Sequence, residues 1–132
     1  MALALAKTID PKDELLDKVG DVSGVEIFNT GVLVAKYIRS NVTRGGIVVP
    51  ETVRQEDVYQ GKIGLVVAVG HSAFKETDGK WFGGKEIGVG DWVLYRASDG
   101  LDMKINGSHG TDCKLLQDTS IRGRIDRPDR IW

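Results

Sequence analysis

The sequence predicts a small all-β protein, a barrel carrying a short helical extension at its N-terminus. Three observations predict it. After residue 24, short runs rich in β-branched and aromatic residues recur, with turn residues between most of them. Seventeen glycines against three prolines supply tight turns between strands. Only one stretch, near the N-terminus, carries the start and stop signals of a helix.

That stretch is DPKDELLDKVG, residues 10–20. Asp10 is placed to cap it and Pro11 suits its first turn. Asp13 and Glu14 complement the positive end of the helix dipole, and Gly20 can end the helix. It is short, so it reads as an appendage packed through Leu15, Leu16 and Val19. The strands follow as VEIF, GVLVAKYI, KIGLVVAVG, DWVLYRA and CKLLQD. GVLVAKYI and KIGLVVAVG are nearly unbroken apolar runs, which predicts central strands buried on both faces. The expected organisation is an extension over residues 1–24, a barrel over 25–126 and a tail over 127–132.

Composition narrows the function. The 132 residues suit one domain, with 41% hydrophobic and 28% charged residues. Net charge is −1, so no global charge draws the chain to nucleic acid or an anionic membrane. No apolar run approaches the roughly 20 residues that span a bilayer. The opening MALALAK is too short an apolar stretch for a leader and has no arginine. One cysteine, Cys113, excludes an internal disulfide and fits a reducing compartment, the cytosol.

The chemical motifs fail on inspection. Gly79-Lys80-Trp81-Phe82-Gly83-Gly84-Lys85 has the spacing of a phosphate loop, but Glu86 stands where a magnesium-holding hydroxyl belongs. A strand-like IGVGDWVLY follows, where a helix N-terminus should meet the phosphate. His109, Asp112, Cys113 and a distant His71 lack the paired spacing of a structural zinc site. Two scattered histidines beside no recognisable nucleophile elbow argue against an enzyme. No catalytic residue, metal or cofactor is expected. The tail IRGRIDRPDRIW interleaves Asp126 and Asp129 with its arginines, so a solvated or subunit-contacting tail outweighs nucleic-acid binding.

Two stretches interrupt the strand pattern. Residues 71–88 read as a hairpin excursion with Asp78-Gly79 at its tip. Residues 40–59 contain TRGGIVVPE, three bare aliphatics in polar surroundings. Ile47, Val48 and Val49 could form an ordinary core strand. Yet Gly45 and Gly46 free the backbone before them, and Pro50 limits continuation as a central strand. The other reading is an apolar hook on a mobile loop, made to dock in a partner's groove.

The order of motifs resembles the GroES-type co-chaperonin family. GVLVAKYI resembles its first core strand, GGIVVPE its mobile-loop tripeptide with preceding glycines, and KIGLVVAVG its G-x-V-x-A-V-G strand. VGDWVLY is similar to its V-G-D strand and LLQDTSIRGRI to its closing segment. Each motif is weak alone, but five occur in family order over about residues 25–126.

The resemblance implies a distorted β-barrel subunit and a heptameric dome that caps a GroEL-type chaperonin ring. Such a cap assists ATP-dependent folding of unfolded proteins inside the cage. It makes Ile47, Val48 and Val49 the chaperonin-binding hook and Gly45 and Gly46 its hinge. It makes residues 71–88, with Phe74, Asp78, Gly79, Trp81 and Phe82, a roof hairpin. The ASDGLDMKINGSHG segment, the aromatic roof, the N-terminal extension and the basic tail depart from the family pattern. They suggest a specialised member, such as a virus-encoded one. The competing expectation is a ring-forming structural or assembly protein with the same barrel and no chaperonin partner.

Overall fold

The computed structural model describes residues 11–38, 48, 50, 52, 62–75, 82–83, 85–106 and 111–128. Helix α1 spans Pro11–Val19. Six strands follow: β1 Gly31–Lys36, β2 Ile63–Val69, β3 Trp92–Leu94, β4 Leu101–Ile105, β5 Thr111–Gln117 and β6 Gly123–Ile125. A 3-10 turn, Asp118–Ser120, separates the last two. The strands form one antiparallel sheet in the order β4-β5-β1-β2-β3-β6. The all-β expectation holds.

β1 and β2 lie at the centre, as their unbroken apolar runs predict, and the packing shows why. Leu33 and Ala35 of β1 enter one cluster with Ile63, Leu65, Val67, Trp92 and Cys113. The alternate residues Val32 and Val34 enter a second cluster with Val66, Val93, Tyr95 and Leu116. Successive side chains of a strand point to opposite faces, so burying both faces removes the apolar-polar alternation. A register shift between Leu33 and Val34 lets β2 accommodate one extra residue against β1. At Gly64 the strands approach closely: a Cβ there would lie 2.9 Å from Val34 Cβ and 3.0 Å from the Tyr95 ring.

α1 covers the first cluster with Leu15 and Val19, both buried. It ends as expected: Gly20 adopts φ +75° and its amide donates to Leu16 O at 3.1 Å. The Asp10 cap lies outside the described residues. Leu16 corrects the sequence reading, because it is 38% exposed and points away from the sheet. A nine-residue helix on a flat face buries only a narrow stripe, here the i, i+4 pair Leu15 and Val19. The Asn106 side chain fastens the helix end by donating to Val19 O and Asp21 O.

Other expectations also change. VEIF forms no strand, although Val25 and Ile27 pack on the first cluster. Both ladder positions beside β1 are already taken, by β2 and β5. LDMKI within the anomalous ASDGLDMKINGSHG segment is strand β4, hydrogen-bonded along β5 from Leu101↔Leu115 to Ile105↔Thr111. GRI, near the end of the expected barrel, is a sixth strand, β6, paired with β3. Ile121, before β6, and Pro128, after it, are both buried.

Candidate functional site

Residues 37–62 join β1 to β2, and the described residues at the two ends of this connection are held together. Tyr37 N donates to Ile63 O at 3.0 Å, and Tyr95 N donates to Lys62 O at 3.0 Å. The Tyr95 hydroxyl reaches Ile63 O at 3.4 Å, and the Tyr37 ring meets Trp92 edge-on at 5.6 Å. Both ends therefore rest on β3 and the residue after it.

Beneath this junction sits a polar cluster. Lys36, the last residue of β1, and Lys114 of β5 are only 5% and 3% exposed. Both ammonium groups reach Asp102 Oδ1 on β4, at 2.7 Å and 3.3 Å. Lys114 Nζ also donates to Ala97 O at 2.5 Å and lies 5.8 Å from the Tyr95 ring centroid. Buried charges persist only with such partners. The hydrogen bond from Lys36, then that from Lys114, holds the Asp102 carboxyl below its usual range despite some desolvation. Burial, reinforced by Asp102 and Cys113, raises the Tyr95 hydroxyl above its ordinary value. Burial and then Asp112 push the Cys113 thiol up to about 11. Sequence reading missed this cluster. The signal was present: Lys36 and Lys114 are charges inside apolar strands, where a partner for each charge is required.

Of the expected hook, Val48 is described and is 70% exposed. An aliphatic side chain facing water contributes little to this subunit's core. Ile47, Val49, Gly45 and Gly46 lie outside the described residues.

The 71–88 excursion is anchored at its base by aromatic packing. Phe74 is buried and meets Phe82 edge-on with ring centroids 5.2 Å apart. Phe74 holds φ +62°, rare for an aromatic residue, and its amide donates to the buried carboxylate of Asp118 at 3.0 Å. Asp118 N in turn donates to Thr30 O, tying the excursion to the turn before β1. Phe74 and Phe82 thus pack against the second cluster. Asp78, Gly79 and Trp81 lie outside the described residues. Lys85 N donates to Phe82 O, and Gly88 N to the Asp91 carboxylate, so the returning leg has no helix to aim at a phosphate.

Among the described residues no group of three His, Cys, Asp or Glu side chains could hold a metal ion. No helix among them is long and apolar enough to cross a membrane.

Comparison with known proteins finds relatives over most of the chain. The family model for the chaperonin 10 kDa subunit matches residues 25–125. The chain is 36% identical over 92 residues to the Co-chaperonin GroES of Pelagibacter ubique, covering 70% of this chain and 86% of that protein. It is 32% identical over 96 residues to that of Bartonella tribocorum, covering 70% and 85%. It is 33% identical over 95 residues to that of Geobacter metallireducens, covering 72% and 90%.

Proposed function

We propose, from the premise that this chain belongs to the chaperonin 10 kDa subunit family, how its parts carry out the work of a co-chaperonin. The family is not one of enzymes, so the protein acts by binding. It partners a GroEL-type chaperonin and assists protein folding. In the reading we favour, Ile47, Val48 and Val49 enter an apolar groove of that chaperonin, with Gly45 and Gly46 as the hinge. Residues 71–88 form the roof, with Phe74 and Phe82 bracing its base and Asp78, Gly79 and Trp81 beyond them. The units are an extension over 1–24, the barrel over 25–126 and a tail over 127–132. Seven subunits close a ring in the cytoplasm and enclose unfolded substrate proteins.

The observation that carries the hook assignment is the exposure of Val48, at 70% the most exposed large hydrophobic side chain among the described residues. The junction at Tyr37, Ile63 and Tyr95 supports it, because the residues that flank the segment are fixed to the sheet. Confinement on a rigid ring raises effective concentration, so weak single contacts sum to firm capture and still release together. The competing reading, a ring-forming structural protein without a chaperonin, is disfavoured by the family match across residues 25–125.

The test is capture of a GroEL-type chaperonin in the presence of nucleotide, with its ATPase rate followed as the protein is added. Saturable capture together with a changed ATPase rate supports the reading. A chaperonin unaffected at every concentration overturns it.

A further inference from the structure

We propose that helix α1 is an intersubunit clasp whose acidic outer stripe docks in a basic groove of a neighbouring copy of this chain. The inference rests on the ring reading above and specifies a contact within it. The family match begins at residue 25, so α1 lies outside the shared barrel. Its inner side, Leu15 and Val19, is buried against its own sheet.

Its outer side is unusual. Asp13, Leu16 and Asp17 lie on one stripe at i, i+3 and i+4, and Leu16 is an exposed leucine between two carboxylates. Glu14 is paired with Lys18 at 3.4 Å, whereas Asp13 and Asp17 have no ion pair among the described residues.

The complementary surface is a groove of about 450 Å³ between the returning leg of the excursion and β6. Phe82, Ile87 and Ile121 give it an apolar lining, and Lys85, Arg122 and Arg124 line it as well. Among the described residues no carboxylate lines it. Arg124 is tethered to Glu86 O at 2.9 Å and to the Asp91 carboxylate at 3.4 Å. Lys85 and Arg122 have no such partner among the described residues. An exposed leucine flanked by two carboxylates matches an apolar groove with two cations, none of the four charges being ion-paired among the described residues. The groove lies on the face of the second cluster, whereas α1 covers the first, so helix and groove of one copy face opposite ways. A helix of one copy meeting the groove of the next is a heterologous contact, the kind that repeats into a ring.

Light scattering and sedimentation of the full chain test this. Variants are Lys85→Glu with Arg122→Glu, Asp13→Lys with Asp17→Lys, Leu16→Ser, and all four charge reversals in one chain. Thermal unfolding of each verifies that the fold is kept. Each one-sided reversal should raise the concentration for half-assembly about tenfold or more. The four-reversal chain should restore most of the loss. The one-sided effect should shrink near 1 M salt, where the screening length is about 3 Å.

A wild type that assembles while folded one-sided variants assemble equally well overturns the clasp and leaves the ring reading standing. A wild type that stays monomeric removes both. Lost chaperonin capture with unchanged assembly in the groove variant assigns the groove to the chaperonin and likewise overturns the clasp.

Discussion

Val48→Ser separates binding from folding at a single side chain. Complete burial of a valine is worth about 2 kcal/mol, so the 70% of Val48 still facing water has about 1.4 kcal/mol to gain in a partner's groove. That is about a tenfold weaker contact for each loop that loses it. The loss recurs in every subunit of a ring, so two engaged loops already weaken capture about a hundredfold. Folding should barely notice, because little of the side chain is in the core. Val66→Ser is the control: Val66 is fully buried in the second cluster, and a hydroxyl there should cost about 2–4 kcal/mol of stability. Thermal melts and chaperonin capture are measured side by side, with capture expressed per folded protein. Val48→Ser should melt within a few degrees of wild type and lose most capture. Equal capture by the two proteins, or a melt as damaged as that of Val66→Ser, refutes the argument.

Asp102→Asn leaves two buried ammonium groups facing an amide. It should cost about 1–2 kcal/mol, kept modest because Asp102 is 61% exposed. The folded-state pKa of Asp102 is depressed, so its stabilisation is present above the unfolded value near 4 and is lost as pH falls through the lower folded value. Denaturant titrations should therefore show the wild type and Asp102→Asn converging in acid, and a constant gap at every pH would count against the ion pairs. Cys113, fully buried with its thiol pushed up to about 11, should resist thiol reagents at pH 8 until the chain unfolds. Labelling as fast in the native protein as in denaturant would refute its placement between β1 and β4.

Much of the fold was legible because the signal was local. Continuous apolar runs identified β1 and β2 as central, and the charge and glycine pattern of residues 10–20 located α1. The short edge strands were not legible in the same way. LDMKI has the period-two pattern of Leu101, Met103 and Ile105, but its polar alternates and flanking turn residues resemble a loop. GRI is too short to carry any period. Each becomes a strand because a neighbour offers an unpaired edge: β5 for the first, β3 for the second. VEIF has the stronger strand composition and forms none, because the positions beside β1 are filled.

The sequence by itself determined the class of protein, the family and the stretch to suspect of docking, since five motifs in order and a bare aliphatic triplet need no neighbours to be read. Tertiary structure decided which charges and aromatics are spent on the fold. Lys36 of β1 and Lys114 of β5 converge on Asp102 of β4, residues separated by 66 and 12 positions along the chain. Phe74 is held inward by a hydrogen bond from its backbone amide to the Asp118 carboxylate, 44 residues away. Leu16 is left facing water by the geometry of one short helix on a sheet. Side-chain fate depends on partners brought together by long-range pairing, and no local window of the chain contains them.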